Sequence, residues 1–341
     1  MLRVVDMFSG SGGLSLGFAN AGFEVSHAVD NWHEALATFA HNKPTTKTHL
    51  MDLSQPREIE ALACAVGNVD VIVGGPPCQG FSIAGKRDPK DPRNLLYRGF
   101  TEMVRLVSPH AFVMENVPTI ASPTNRELFE AIQHDFVSLG YRVVARVLLA
   151  SQFGVPQNRK RMFIVGTTKG LEFDFPEPLP GLVTARDAIG DLPEDSLSDG
   201  SAYPSQPSSP FQELMRVDSS GVFNHQATNH AERTIEVIAQ VPDGGNYKNL
   251  PEDLQGTRKV NIAWTRLSSA RPSFTIDTGH RHHFHYSYNR VPTARESARL
   301  QSFPDSYVFL GSRSSQLRQI GNAVPPLLAK AIAQQLGKSL S

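Results

Sequence analysis

The chain has 341 residues, of which 40% are hydrophobic and 19% charged, and its 33 basic and 33 acidic side chains leave no formal net charge. That length suits about two domains at roughly 150 residues each, and the composition is that of an ordinary soluble globular protein. Two cysteines, Cys64 and Cys78, exclude a disulfide scaffold, and no stretch reaches the roughly 18 uncharged apolar residues of a membrane span.

In chain order, six apolar runs read as strands: Leu2–Phe8, Glu24–Val29, Val69–Gly74, Ala111–Met114, Arg142–Leu149 and Arg161–Thr167. Continuous runs such as VDVIVGG and AFVMEN fit strands of a parallel sheet covered on both faces. Between them lie helical patterns. Ile59, Leu62, Ala63 and Val66 repeat at helical spacing, with Ser54 as expected N-cap and Pro56 in the first turn. Strand and helix in alternation imply a doubly wound, Rossmann-like α/β sheet. After Lys169 the chain turns to Pro, Ser, Gly and Asp, which marks loops and a domain junction. One helix is expected near His230–Gln240 in an otherwise irregular region. Helical periodicity returns in TARESARLQSF and in PPLLAKAIAQQL. The expected division is a first domain over 1–170, completed by 305–341, and a smaller one over 171–304. The N-terminus enters an apolar run at Leu2, Val4 and Val5 without a signal-peptide layout, so a cytoplasmic protein is expected.

The first strand leads into DMFSGSGGLSLGF. Gly10, Gly12 and Gly13 permit a tight turn and close approach of a ligand to the backbone where a helix opens. Such a turn serves nicotinamide, flavin and adenosylmethionine enzymes alike. Two acids narrow the choice. Asp30 ends the second strand, where a carboxylate can take both ribose hydroxyls. Asp52 follows a third, short strand and can accept from an adenine amino group. Each could instead cap a helix, but their joint placement at strand ends favours a nucleoside.

The next strand runs into GGPPCQGFS. Pro76 and Pro77 stiffen the chain before Cys78, and glycines on both sides leave room for a substrate ring. A thiol at the carboxyl end of a parallel strand stands where open α/β sheets place chemistry. Cys64, in the small-residue helix EIEALACAV, is expected to be structural. Charge is uneven: Leu171–Gly256 holds 15 acidic and 4 basic residues, and Thr257–Leu300 holds 8 basic and 2 acidic. A phosphate-binding face can be built from such a local excess.

These motifs, in this order, resemble the DNA (cytosine-5)-methyltransferases of the bacterial type, over nearly the whole length. Asp6–Gly13 is similar to the adenosylmethionine loop, Pro76-Pro77-Cys78-Gln79 to the nucleophile motif, and Glu115-Asn116-Val117 to the motif with the acidic partner. Gln157-Asn158-Arg159-Lys160-Arg161 resembles the Gln-x-Arg-x-Arg motif. Arg295–Pro304 resembles the segment that organises the recognition domain, and Gln319–Val324 the closing cofactor motif.

The resemblance implies methyl transfer from S-adenosylmethionine to carbon 5 of a cytosine flipped out of duplex DNA. Carbon 5 is a poor nucleophile. Addition of the Cys78 thiolate at C6 makes the ring enamine-like. Glu115 would stabilise charge at N3, while Arg159 and Arg161 would bind O2 and orient Glu115 or a phosphate. The implied cofactor set is Asp6, Phe8, Ser9, Gly10, Gly12, Gly13, Asp30, Asn31, Asp52, Leu53, Pro76, Asn322 and Val324. Trp32 and Phe8 are alternatives for stacking on adenine. Ser82, Lys86 and Arg93, in a Gly- and Pro-rich loop, are implied phosphate contacts. Arg266, Arg271 and Arg281 are candidates for reading DNA from the region 171–304.

His280, His282, His283 and His285 lack a cysteine or a separated second pair, so no metal is expected. A tRNA substrate is the alternative. The sizeable region before Arg295 favours DNA, since sequence-reading loops would sit there. A non-catalytic nucleotide-binding regulator would lack Cys78 or Glu115, and an oxidoreductase has no use for Pro-Pro-Cys-Gln. The partners expected are double-stranded DNA and, as a functional counterpart, a cognate restriction endonuclease, with the enzyme a monomer.

Overall fold

Helices and strands alternate through the first half of the chain, and the hydrophobic pattern explains why. The structure is a computed structural model that describes residues 1–77, 96–255, 264–278 and 283–341. Its elements begin β1 (Arg3–Met7), α1 (Gly13–Asn20), β2 (Glu24–Asp30), α2 (His33–Asn42), β3 (Lys47–Leu50), α3 (Pro56–Val66) and β4 (Val71–Gly74). They continue with α4 (Leu96–Val107), β5 (Ala111–Asn116), α5 (Arg126–Ser138), β6 (Arg142–Leu149) and β7 (Lys160–Thr167). These seven strands form one sheet in the order β3-β2-β1-β4-β5-β7-β6.

Strands β1 to β5 pair parallel, as the continuous apolar runs predict. β7 departs from the all-parallel expectation and pairs antiparallel with both β5 and β6. The short segment 150–159 replaces the helical crossover that parallel neighbours require. Val71, Ile72 and Val73 of β4 and Phe112 and Val113 of β5 are wholly buried. Helix α3 starts one residue later than expected, with Gln55 at the N-cap and Pro56 in the first turn. It buries Ile59, Leu62 and Val66, worth roughly 1.5–3 kcal/mol each. The chain order reverses between β1 and β4, and the carboxyl ends of those strands are where open sheets bind ligands.

The chain divides into two compact units. The first holds Met1–Leu149, Lys160–Pro178 and Pro326–Ser341, and the second holds Ala150–Arg159 and Leu179–Pro325. Beyond β7 the second unit contains α6 (Ala185–Ile189), α7 (Pro210–Arg216), α8 (Glu232–Ala239) and α9 (Glu252–Gln255). The short pair β8 (Thr265–Arg266) and β9 (His283–Phe284), α10 (Ala294–Leu300) and α11 (Arg313–Asn322) follow. The C-terminal helix α12 (Pro326–Leu340) returns to the first unit. There Gly17 of α1 meets it so closely that a Cβ would lie 2.3 Å from the Ala329 Cβ and 2.6 Å from the Pro326 carbonyl. No described helix is long and apolar enough to cross a membrane.

The second unit carries a small apolar core of Val237, Ile238, Val241, Leu250, Trp264, Phe284 and Val291. Its other interior is ionic. Arg290 clasps Glu296 through two hydrogen bonds of 2.7 and 2.8 Å. Arg299 binds Asp305 through 2.8 and 2.6 Å bonds and Asp191 at 2.5 Å. Arg295 donates to the carbonyls of Phe223, Pro304 and Tyr307. Thr293 and Glu296 form a capping box at the start of α10, each satisfying an orphan N–H of the helix entry.

Candidate active site

The glycine turn after β1 is built for close approach. Phe8, Gly10 and Gly12 all take positive φ, at 57°, 53° and 91°. For phenylalanine that conformation is strained, and strained residues of this kind persist where the surroundings hold them, often at ligand sites. The turn is pinned by the Ser9 N–H donating to Val29 O at 2.9 Å and Gly12 N–H to Ser9 O at 2.9 Å. Helix α1 then opens at Gly13 with no side-chain cap and no acid in its first turn, so its N-terminal N–H groups suit a polar ligand. A Cβ on Gly10 would meet open space.

Two carboxylates frame this turn. Asp6 is wholly buried and accepts from the Ser15 hydroxyl at 2.6 Å. Burial pushes its pKa up to about 7, against the bonds from Ser15. Asp6 Oδ1 and Ser9 Oγ are buried and lack a hydrogen-bond partner among the described residues. Two such oxygens beside a glycine cradle fit a ligand that brings donors. Asp30 accepts from the N–H groups of Gly10 and Trp32, both at 2.8 Å. Burial raises its pKa and those bonds oppose the rise. Asn31 is exposed.

Asp52 accepts from the Ser54 N–H at 3.0 Å and the Gln55 side chain at 3.4 Å, and the Ser54 bonds hold its pKa down. Its carboxylate thus closes a turn just before α3, whose N-cap Gln55 makes no side-chain cap bond. Leu53 is buried, with its carbonyl against Gly99 of α4, where a Cβ would approach to 2.3 Å.

A second cluster stands at the ends of β4 and β5. Glu115, in the last turn of pleat of β5, faces Arg161 of β7, with Oε1 2.7 Å from the guanidinium Nε. Both side chains are largely buried, at 12% and 15% exposed. Burial lowers the Arg161 pKa while Glu115 opposes the fall. Asn116 donates its side-chain N–H to the Pro76 carbonyl at 2.9 Å, tying β5 to the Gly-Gly-Pro-Pro turn. Gly75 abuts the carboxylate itself: a Cβ there would lie 2.8 Å from Glu115 Oε2. Glu115, Arg161, Gly75 and Pro76 are therefore assembled two residues before position 78. Cys78 lies outside the described residues, as do Ser82, Lys86, Arg93 and Arg281.

Other expected residues belong to the second unit. Arg159 is 1% exposed and donates to Gly321 O at 2.7 Å and Ile276 O at 3.3 Å. These bonds brace it within the second unit. Gln157 joins the same brace, accepting from the Ile276 N–H at 3.1 Å and donating to the Leu300 carbonyl at 3.1 Å. Asn322 ends α11 and is exposed, whereas Val324 is buried.

Arg266 is corrected as a DNA contact. It is 4% exposed, and it donates to the carbonyls of Val241, His285, Tyr288 and Ile238 and to the Asn289 side chain. Arg290, Arg295 and Arg299 are likewise buried. Half of the eight cations counted in 257–300 thus face inward. Arg271 is exposed. His285 is buried, accepts two backbone N–H groups on Nδ1 and is pushed by burial down to about 4, which makes it a neutral packing group. No group of three metal-ligating side chains occurs among the described residues. The contact of Gly75 with the Glu115 carboxylate, the bond from Asn116 to Pro76 and the ionic interior around Glu296 and Asp305 were not read from sequence. Only the double glycine before Pro76 and the Thr293–Glu296 capping spacing signalled them.

A family model described as C-5 cytosine-specific DNA methylase matches residues 2–338. The Type II methyltransferase M1.HphI of Haemophilus parahaemolyticus is 39% identical, over 99% of this chain and 87% of its own. The Type II methyltransferase M.DdeI of Desulfomicrobium norvegicum is 36% identical, over 98% and 88%. A solved structure named as a DNA modification methyltransferase encoded within an E. coli prophage matches with a TM-score of 0.81 at 31% identity, over 100% of this chain and 99% of its own. DNMT2 of Spodoptera frugiperda, at 19% identity and a TM-score of 0.62 over 100% of both chains, shares the fold. With the glycine turn at β1, the Gly-Gly-Pro-Pro turn at β4 and the Glu115–Arg161 pair on one Rossmann-like sheet, the chain belongs to the C-5 cytosine-specific DNA methylase family and is a DNA (cytosine-5)-methyltransferase.

Proposed function

We propose that the enzyme methylates a cytosine flipped out of duplex DNA through a transient bond between Cys78 and C6, as the modification enzyme of a Type II restriction–modification system. The observation that carries this reading is the Glu115–Arg161 ion pair at 2.7 Å against Gly75, two residues before Pro77 gives way to Cys78. Held between an arginine and a turn with no side chain, the Glu115 carboxyl group can share a proton with N3 and accept from the exocyclic amine. Charge that develops at N3 when sulfur adds to C6 is then spread into that hydrogen bond, and after methyl transfer, loss of the C5 proton with elimination of the Cys78 thiolate breaks the C6 bond and restores the ring. Arg161 fixes the carboxyl group and can reach O2. Asn116, bonded to the Pro76 carbonyl, holds the turn that presents Cys78.

S-adenosylmethionine, when bound, supplies an electrophilic methyl group. The glycine turn, Asp6, Ser9, Asp30, Phe8 and Trp32 are the residues that would hold it, supported by the two buried oxygens without partners and by the open space at Gly10. The second unit would read DNA sequence, with Arg271 and the loops around it, and the enzyme would act as a monomer opposite a cognate endonuclease. The relatives named as Type II methyltransferases support that setting. The test is to express the gene in a host free of DNA methylation and sequence methylated sites. 5-methylcytosine at one position of one recurring sequence is the expected result. Methylation of adenine, or none in DNA, would overturn it.

A further inference from the structure

Phe274 combines exposure with a rigid mounting. It is 45% exposed, yet the backbone on both sides is locked. The Ser273 N–H donates to Pro156 O at 2.8 Å, and Ser273 O accepts from the Asn158 N–H at 2.8 Å. Beyond it, the Thr275 hydroxyl donates to Asn158 O at 3.0 Å and the Ile276 N–H to Gln157 Oε1 at 3.1 Å. The ring stacks on His283 with centroids 4.9 Å apart and planes 17° from parallel. An imidazole thus backs the ring, and an apolar surface that folding would ordinarily bury is left facing water.

Charge indicates what that surface meets. Within 179–256 of the second unit acids outnumber bases 12 to 4, which repels a phosphate backbone. Among the described residues of 257–300, Arg266, Arg290, Arg295 and Arg299 are buried and Arg271 is the exposed cation. It precedes Phe274 by three residues, on the same fixed segment. A cation three positions from an outward, pre-positioned aromatic ring offers the two contacts, to phosphate and to base face, by which proteins hold nucleic acid that has lost its regular stacking.

We infer that Phe274, backed by His283, packs its exposed ring against a nucleobase face uncovered in the distorted duplex, with Arg271 on the adjoining phosphate. This inference rests on the reading of the second unit as the DNA-recognising part. Because the backbone is fixed before DNA arrives, the ring costs little ordering entropy on binding.

The experiment uses the full-length enzyme and the duplex identified by methylated-site sequencing. Steady-state methyl transfer is measured for wild type, Phe274→Ala, Phe274→Trp and Arg271→Ala. Phe274→Ala should raise KM for DNA about tenfold, with kcat, KM for S-adenosylmethionine and melting temperature unchanged and the salt dependence of binding unaltered. Arg271→Ala should instead flatten the salt dependence by about one counterion. Phe274→Trp should restore KM, and its added fluorescence over wild type, which already holds Trp32 and Trp264, should be quenched by the duplex and not by S-adenosylmethionine. Wild-type activity with an unchanged KM in Phe274→Ala, or an unquenched Trp at 274, overturns the inference alone. Absence of DNA methylation by wild type would remove the reading beneath it.

Discussion

Replacing Gly75 with alanine should separate chemistry from stability. The added Cβ would lie 2.8 Å from Glu115 Oε2, where ordinary contacts begin near 3.4 Å. Gly75 is not among the residues of positive φ, so alanine fits the backbone. The glutamate has to yield. Oε2 can yield by a torsion of the carboxyl group, which turns the plane in which Oε1 meets Arg161 at 2.7 Å. A retreat of roughly 0.6 Å restores contact, and displacement on the scale of 1 Å at a reacting group costs about 10² in rate. The side chain can take up the change by an off-rotamer torsion at about 1 kcal/mol, so unfolding should shift by only a few degrees, roughly 2–4 °C. The assay is single-turnover methyl transfer on the cognate duplex beside a thermal melt. A rate about 10²-fold down with a near-native melt is expected. A rate within about threefold of wild type would refute the claim that the carboxylate works from where Gly75 leaves it.

Other perturbations test the supporting structure. Arg299→Met removes the cation shared by buried Asp305 and Asp191 and leaves them only Arg295, at 3.6 Å, and Arg216; breaking a buried pair outright costs about 3–5 kcal/mol, so a smaller loss, visible as a lower urea midpoint, is expected, and one under about 1 kcal/mol would contradict the role given to the ionic interior. Acid should weaken the second unit in two windows. His285 is depressed by burial from 6.5 to about 4, so the stability it contributes is whole above pH 6.5 and lost as pH falls toward 4. Burial would raise Glu296, but the bonds and charge of Arg290 outweigh it and hold the carboxyl group at about 2 rather than 4.5. Its contribution is whole above 4.5 and lost toward 2, and a shift of that size is worth about 3 kcal/mol by linkage. Denaturant melts across pH should show both limbs, and His285→Asn should shrink the upper one, which His225 and His27, also lowered by burial, share; an unchanged upper limb would place the titration elsewhere.

Much of the first unit was legible because its chemistry is local. A continuous apolar run such as VDVIVGG has one comfortable environment, the middle of a covered parallel sheet, and β4 takes it. The glycines at 10 and 12 were readable because the turn they make needs positive φ. Glu115 and Arg161, 46 positions apart in the sequence, are brought together by antiparallel pairing of β5 and β7, in which Glu115 faces Phe163. That pairing follows from the missing crossover after β6, which no local pattern announces.

Charge misled for a similar reason. Counting cations in 257–300 suggested a phosphate-facing surface, yet Arg266 and Arg290 spend their donors on backbone carbonyls and Glu296 inside the fold. Whether an arginine points to water or to a buried acceptor depends on partners elsewhere in the chain, such as Asp191 for Arg299. Five donors and a planar fork let arginine bind carbonyl groups from several segments at once. A run of arginines therefore describes a recognition surface only after burial has been subtracted, which leaves Arg271 among the described residues.

The proposed mechanism depends on sulfur at position 78 bonding to the pyrimidine. The most direct measurement incubates the enzyme and S-adenosylmethionine with the cognate duplex carrying 5-fluorocytosine at the methylated position, where loss of the C5 substituent is blocked. Mass spectrometry of the digested complex should find the oligonucleotide attached to the peptide containing Cys78, and Cys78→Ala should give no conjugate. Methyl transfer without any conjugate, or a conjugate that survives Cys78→Ala, would contradict the mechanism.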